Sequence, residues 1–427
     1  MSVFKPSPSG RRAYFRGIQI ESAMLRIVLG ALPVISALSL APAHVTRAAP
    51  VCMSMRPAEP SRRSLLLGGA AAAVLLPASA AHAASPAVFA PAQDSLTGKT
   101  VLITGANTGL GLESAKRLAA GGAKVIVTAR TEAKVQKTIA SVIDYAGPSA
   151  RVVGAELDLA SLDSIKSFPK RLQAQLGAAD YSLDVLMNNA GVMAIPERLT
   201  TDDGFERQLG VNHLGHFALT AALIPALQRA ENGFRVVAVS SDAHRFANGQ
   251  SMQQAIAAHL DPAEYTPWGN YGLSKAANVL FANELERRLK ESGVRGSAVS
   301  LHPGVVATDL ARYLVAAPED QSIEQLYRIA RVPGTAPPNA GSPELPWWQG
   351  PLLRVLANVL IPVEYGANTQ VWLAAGADAQ GDLSAGGGRF YDKRAATPAS
   401  TFTNDEALAK ALWEESEKLT QTKLTFK

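Results

Sequence analysis

From about residue 96 the chain alternates between short apolar, β-branched runs and longer stretches whose apolar residues recur three and four apart. Lys99–Thr104 (KTVLIT) opens the series. It enters the turn Gly105-Ala106-Asn107-Thr108-Gly109-Leu110-Gly111, then a helical stretch that reaches Ala120 before Gly121-Gly122. Further strand runs lie at Lys124–Thr128, Arg151–Glu156, Leu183–Asn188, Phe234–Val239 and Gly296–Leu301, with helical segments between them, one starting near Thr131. Continuous apolar strands belong to parallel sheets covered on both faces. Strand–helix alternation over some 200 residues therefore predicts an α/β chain with a Rossmann-type doubly wound parallel sheet, built as a single domain. From Glu364 to Thr420 a helix, a short strand at Arg389–Tyr391 and a final helix complete it.

The first ninety residues follow another logic. One apolar stretch runs from Ile27 to Ala43; a second follows Ser61-Arg62-Arg63-Ser64-Leu65-Leu66-Leu67 and runs to Ala81-His82-Ala83. Each is shorter than, or barely reaches, the roughly 20 residues that span a bilayer. Each ends in small residues of the A-x-A type, the mark of a cleavable signal. Arg62-Arg63 ahead of Leu65 resembles a twin-arginine export signal. The expectation is a targeting presequence at residues 1–90, bipartite or tripartite, addressed to a plastid and its thylakoid lumen. A bacterial periplasmic protein starting at Met53 or Met55 is the alternative, and a pair of membrane anchors the plainer one. The working domain is then 91–427.

Charge and cysteine follow the same division. The 427 residues carry 41 basic and 36 acidic side chains, a formal charge of +5. Nine of the basic and two of the acidic ones precede residue 84, which leaves 32 against 34 and a net charge of −2 in the body. That near-neutral body carries no nucleic-acid footprint. The single cysteine, Cys52, lies in the leader, so the body has no disulfide, no cysteine nucleophile and no cysteine-ligated metal. No spacing of histidines suggests a metal site.

Two patterns carry chemistry. The glycine turn sits between the first strand and first helix, where bare backbone N–H groups and a helix N-terminus suit the phosphates of a dinucleotide. The second strand ends Thr128-Ala129-Arg130, without the carboxylate that would hold the ribose 2′-hydroxyl of NAD, so NADP(H) is favoured and Arg130 is the candidate for its 2′-phosphate. A plain solvated arginine is the other reading. Downstream, Tyr271 and Lys275 stand one helical turn apart, preceded by Ser240-Ser241. A lysine ammonium beside a phenol stabilises the phenolate and lowers its pKa from about 10, which makes a usable proton donor. A serine hydroxyl can hold the substrate oxygen.

In combination these residues resemble the short-chain dehydrogenase/reductase family over about Leu96 to Thr420. The motifs come in family order: TGANTGLG at 104–111, Asp158-Leu159, Asn188-Asn189-Ala190-Gly191, Asn212, Ser241, Tyr271 with Lys275, and Pro303-Gly304 with Thr308. The resemblance implies an oxidoreductase with Ser241, Tyr271, Lys275 and Asn212 as its catalytic set, Asn212 positioning a water behind Lys275. It implies a cofactor site of Gly105, Asn107, Thr108, Gly109, Leu110, Gly111, Arg130, Asp158, Leu159, Asn189, Ala190, Gly191, Tyr271, Lys275, Pro303, Gly304, Val306 and Thr308. Asp158 would meet the adenine edge and Thr308 the carboxamide; Ser240 would be a structural neighbour of Ser241. His213, His216 and His302 read as packing or local hydrogen bonds, while His244, three residues after Ser241, is a candidate to touch substrate.

Within the family, VNHLGHF at 211–217, SSDAH at 240–244 and SLHPGVVATDL at 300–310 are most like the retinol dehydrogenase-like group, which includes a plastid import-associated relative. Protochlorophyllide reductases share the framework, but their active-site cysteine has no counterpart here. Residues 311–362 carry Pro333, Pro337, Pro338, Pro343 and Pro346, then Trp347-Trp348 and the apolar run Pro351–Ile361, and are expected to cover the substrate as a lid; a surface insertion and a membrane-docking segment are the other readings. The implied reaction interconverts a carbonyl and an alcohol on a hydrophobic substrate, retinal-like, lipid or isoprenoid. The competing class is an NADPH-binding redox sensor or assembly component at a plastid membrane. Expected partners are limited to that small substrate, a peripheral membrane contact and a second copy of the chain in a homodimer.

Overall fold

The structure, a computed structural model, describes residues 87–261, 264–311 and 360–426. Residues 1–86 of the expected presequence, and the Trp347-Trp348 segment of the expected lid, lie outside the described residues.

An eight-stranded sheet organises the described chain, in the order β3-β2-β1-β4-β5-β6-β7-β8. Its members are β1 (Thr100–Ile103), β2 (Lys124–Ala129), β3 (Val152–Glu156), β4 (Val185–Asn188), β5 (Phe234–Val239), β6 (Gly296–His302), β7 (Phe390–Asp392) and β8 (Ala395–Ala396). All neighbouring strands are parallel except β8, a two-residue antiparallel return on β7 that the apolar pattern does not announce. The Rossmann-type reading of the sequence holds. The chain winds outward from β1 to β3, then crosses back to β4 on the other side of β1. Ligands of such sheets bind beyond the carboxyl ends of the strands at that reversal.

Period-two alternation explains why both faces are covered. Leu102, Ile126, Leu186, Val236 and Ala298 point to one face, under α3 (Leu162–Leu176), α4 (Gly215–Leu227), α6 (Pro267–Ser292) and α8 (Glu406–Thr420). Phe168, Phe217, Phe281 and Trp413 fill that layer. Val101, Ile103, Val125, Val127, Met187 and Val299 point to the other, under α1 (Gly109–Ala120) and α7 (Asn368–Ala374), with α2 (Glu132–Ala146) beyond. Burying each such side chain stabilises the fold by about 1.5–3 kcal/mol. Helix α5 (Gly249–Ala257) occupies part of the long gap between Ser241 and Tyr271 and packs on the α6–α8 layer.

Caps set the helix starts: the Thr131 and Ser161 hydroxyls accept the N–H groups of Lys134 and Ser164. At α1 the N-cap Thr108 makes no such bond, because its hydroxyl donates to Asp309 Oδ2 at 2.8 Å. Two departures from the sequence reading concern irregular backbone. The helix expected after Glu364 is split into Val363–Gly366 and α7, and α4 is entered through a π turn, Gly210–Leu214.

Candidate active site

Three loops at the carboxyl ends of β1, β4 and β6 converge, and glycines let them do so. Gly105 (φ +63°) lies so close to the β4 loop that a Cβ would come within 2.9 Å of Ala190 Cβ. At Gly109 (φ +53°) a Cβ would press on Thr308 Cγ2 at 3.0 Å, and at Gly111 it would overlap the Gly105 carbonyl oxygen at 2.5 Å. Leu110 and Val306 close on Gly366, and Gly304 lies against Ile361, whose backbone bridges Val306. Pro303 stands at the start of this loop, where Gly304 turns it (φ +91°). Asn107 and Thr108 stand half-buried in the turn. The result is a backbone cradle ahead of an α1 N-terminus free of side-chain caps, which fits a dinucleotide pyrophosphate.

Thr104 and Asn189 hold the cradle from below. Thr104 Oγ1 accepts the N–H groups of Asn189 and Ala190, both at 2.9 Å, and meets His216 Nε2 at 2.9 Å. Asn189 Nδ2 donates to the Thr104 carbonyl at 2.8 Å, while its Oδ1 accepts from Gln370 Nε2 at 3.2 Å. Thr104 was legible as the residue opening the glycine turn. Gln370 has no sequence signal at all, since it arrives from α7 across a separation of 181 residues.

The adenine side is simpler. Asp158 Oδ1 accepts the Ala160 N–H at 2.9 Å in the turn after β3, Leu159 is buried beside it, and the Asp158 N–H donates to Ser164 Oγ at 3.0 Å. Arg130 directly follows β2 and is exposed.

On the other side of the cradle, Ser241 lies beyond β5, Tyr271 and Lys275 lie on one face of α6, and Asn212 lies in the π turn. Tyr271 and Lys275 are each 3% exposed. Tyr271 exchanges a hydrogen bond with the Ser241 side chain. Asn212 Nδ2 donates to the Val192 carbonyl and to Ser274 Oγ, both at 2.9 Å, and its Oδ1 accepts the Val192 N–H at 2.8 Å. Gly191 makes the meeting possible: a Cβ there would stand 3.2 Å from Asn212 Oδ1 and 3.4 Å from Lys275 Nζ. The π turn fits a common pattern, since such insertions cluster at functional sites.

Burial sets the protonation of the pair. It pushes the Tyr271 phenol up to about 12, against the pull of the Ser241 hydrogen bond, and pushes Lys275 down to about 8. The expectation that Lys275 holds the resting phenol below its ordinary pKa is thus corrected. Nζ lies 5.8 Å from the centre of the Tyr271 ring and donates to the Val239 carbonyl at 3.1 Å, so desolvation wins. Ser240 Oγ donates to the Lys275 carbonyl at 2.7 Å and fastens α6 to the sheet, the structural part assigned to it from the sequence.

The histidines stay out of the chemistry. Burial holds His213 at about 3 and His216 at about 4. His213 Nε2 meets Ser416 Oγ at 2.9 Å, and His216 links Thr104 to the Asn212 carbonyl. His244 does not present a nitrogen to substrate: one ring nitrogen meets the Ser241 carbonyl at 2.7 Å and the other the Ser400 N–H at 3.0 Å. An aromatic stair leads outward instead. The Tyr271 and Trp268 rings stand edge-on with centres 6.1 Å apart, as do Trp268 and the exposed Phe246. Leu199, Phe246 and Val305, three of the five large apolar side chains exposed among the described residues, lie on the loops after β4, β5 and β6. Among those residues no His, Cys, Asp and Glu grouping could hold a metal, and no helix is long and apolar enough to cross a membrane.

Comparison with known proteins agrees with this geometry. Residues 99–253 match the family model described as short chain dehydrogenase. Retinol dehydrogenase 13 of Homo sapiens is 35% identical over 338 residues, covering 77% of this chain and 86% of that protein. The short-chain dehydrogenase TIC 32 B, chloroplastic, of Brassica napus is 38% identical over 218 residues, 50% of this chain and 66% of that protein. Among solved structures, an uncharacterised protein of Mycobacterium paratuberculosis superposes with a TM-score of 0.52 at 31% identity, covering 78% of this chain and 96% of that one.

Proposed function

The chain belongs to the short-chain dehydrogenase family of oxidoreductases, and from that premise we propose that it is an NADP(H)-dependent enzyme interconverting a carbonyl and an alcohol on a hydrophobic substrate. The observation that carries this reading is one linked cluster next to the glycine cradle: Tyr271 with Ser241, Lys275 Nζ 5.8 Å from the Tyr271 ring, and Lys275 with Asn212 at Gly191. When bound, NADPH supplies the hydride.

The residues then divide the remaining work. Ser241 holds the substrate oxygen. Tyr271, fully protonated at neutral pH, gives its proton to that oxygen as negative charge develops there. Lys275 stabilises the phenolate as it forms and reaches the nicotinamide ribose. Asn212, whose Oδ1 keeps a second lone pair beyond the Val192 N–H, positions a water that returns the proton. Gly105, Asn107, Thr108, Gly109, Leu110 and Gly111 receive the pyrophosphate. Asp158 and Leu159 serve the adenine, Asn189, Ala190 and Gly191 its ribose, and Pro303, Gly304, Val306 and Thr308 the nicotinamide. The Trp268–Phe246 stair supports an apolar substrate of the retinal, lipid or isoprenoid class.

A panel of hydrophobic aldehydes and ketones with NADPH and NADH tests the reading, and no oxidation of either cofactor would overturn it. Arg130 is the proposed reader of the 2′-phosphate. Arg130→Ala is expected to weaken NADPH about tenfold, the order of one charge-assisted contact, and NADH by less than twofold. Equal weakening in cofactor titrations would remove Arg130 from that role.

The presequence reading, with a plastid lumen as destination, is supported by the paired signals and the chloroplastic relative. The folded unit sets a limit on processing. Arg117 NH1 donates to the Phe89 carbonyl at 2.9 Å, and Asn368 Nδ2 donates to that of Ala87 at 3.1 Å, so the chain is strapped down from residue 87. Sequencing of the protein from its native compartment is expected to find a start after Ala83 and before Ala87. A start before Ser61 would refute the signal.

A further inference from the structure

Two titratable histidines outside the proposed chemistry, His244 buried and His302 half-buried, act on the same peptide group. We propose that His244 and His302, held in opposite tautomers, clamp the one peptide unit that joins Ser241 to Asp242 and thereby position the Ser241 hydroxyl against Tyr271. This rests on the role given to Ser241 above.

Donor and acceptor chemistry assigns the protons. The Ser241 carbonyl can only accept, so His244 Nδ1, 2.7 Å away, carries a hydrogen. His244 Nε2 takes the Ser400 N–H at 3.0 Å, so it carries none. His244 is therefore neutral, with its proton on Nδ1. The Asp242 N–H donates to His302 Nδ1 at 3.0 Å, so that nitrogen is bare, and neutral His302 carries its proton on Nε2.

The Ser241 carbonyl and the Asp242 N–H belong to a single planar peptide group and point to opposite sides of it. The carbonyl side is held by the His244 ring together with the His244 backbone N–H at 3.0 Å, and the N–H side by the His302 ring. Rotating the plane would change ψ of Ser241, now extended at 156°, and would break both ring bonds at once. That torsion, with the 3.2 Å bond from the Ala243 N–H to Ser241 Oγ, directs the hydroxyl. The short 3₁₀ turn after Ser241, Asp242–Phe246, contains His244 and is tied to other elements: His302 ends β6, and the His244 ring is fixed by the Ser400 N–H after β8 and by Phe390 of β7, 5.0 Å away. Both histidines are positioning residues. Neutral hydrogen bonds of this kind add little to stability, yet a misplacement of about 1 Å at a reacting group can cost about a hundredfold in rate.

The clamp works only while both rings are neutral. Burial lowers both pKa values below the ordinary 6.5. Around His244, Arg245 and His302 add to the lowering, while the Ser241 carbonyl and Asp242 oppose it. Around His302, Asp242 and Asp392 oppose the lowering, and Arg245 and Lys393 add to it. A proton on His244 Nε2 would face the Ser400 N–H, and one on His302 Nδ1 would face the Asp242 N–H, donor against donor. Turnover is therefore expected to hold at pH 6.5, where an ordinary imidazole is half protonated, and to fall only at lower pH.

Three variants of the full chain test the clamp, assayed with saturating NADPH and the best carbonyl of the panel. His302→Leu, which keeps bulk without an acceptor, is expected to lower kcat about 10- to 100-fold with the NADPH Kd within twofold. His244→Leu should do the same. His302→Asn places an oxygen near the lost nitrogen and cannot titrate; it should restore most of that kcat and move the acid limb to lower pH. Wild-type kcat in both leucine variants, or a parallel loss of NADPH binding, would overturn the proposal. Spectra of the protein with ¹⁵N-labelled histidine, assigned through the same variants, read the tautomers without turnover. One tautomer shared by both rings, or an imidazolium at pH 7, would sink the clamp. A wild type inactive on every carbonyl would sink the proposed reaction instead, and the spectra would still decide the clamp.

Discussion

Tyr271→Phe is expected to lower turnover by about 10³-fold or more, at the upper end of what a positioned general acid contributes, while the NADPH Kd stays within about threefold. The phenol hydroxyl is the only atom removed, and the ring keeps its edge-on contact with Trp268. No neighbour can take over. Lys275 Nζ is turned to the Val239 carbonyl, and the Asn212 amide is spent on Val192 and Ser274. The tyrosine is 3% exposed, so bulk water is a poor substitute donor. Steady-state kinetics with a fluorescence titration of NADPH would check both halves. Retained kcat would refute the assignment of the proton donor, whereas lost cofactor binding would point to a collapsed site.

The largest stability effect is expected far from the chemistry, at Asp378. Arg235 of β5 is wholly buried between β6 and α7. Its guanidinium donates to Ser297 Oγ at 3.0 Å, to the Leu373 carbonyl at 3.1 Å, to the Ala385 carbonyl and to the Asp378 carboxylate, itself 2% exposed. Tyr391 adds its hydroxyl to the same carboxylate at 3.2 Å. A buried pair of this kind gains little over apolar packing, but removing one partner strands a charge in the interior at a cost of about 3–5 kcal/mol. Asp378→Ala should therefore lose that much in urea unfolding at pH 7. The double variant Arg235→Met with Asp378→Leu should recover most of it, since no charge then remains to be solvated. A single-variant loss below about 1 kcal/mol would show that water reaches the guanidinium.

Much of this protein was legible along the chain. Phe234–Val239 is a strand with the same limits in sequence and structure, and the glycine turn stands between the first strand and first helix as read. These features are local. A strand covered on both faces shows itself as an unbroken apolar run, and a φ near +60° calls for glycine at Gly105 and Gly109. The Tyr271–Lys275 spacing is local too, since one helical turn fixes which side chains share a face.

The features that escaped the reading depend on groups distant in sequence. The π turn that presents Asn212 cannot be separated from ordinary helix by apolar spacing, because Gly210–Leu214 is buried throughout. His244 suggested a substrate contact from its place after Ser241; its partner is Ser400, 156 residues away. The resting acidity of Tyr271 was misjudged because spacing reports the neighbouring ammonium but not the depth of burial, and burial outweighs it. Periodicity and turn stereochemistry were enough for the sheet and the cradle, and the family resemblance singled out Ser241, Tyr271 and Lys275 as the proposed reacting side chains. Protonation states and the aim of Ser241 came from the packed chain, because desolvation and hydrogen-bond geometry are properties of what surrounds a group once the strands and their loops have met.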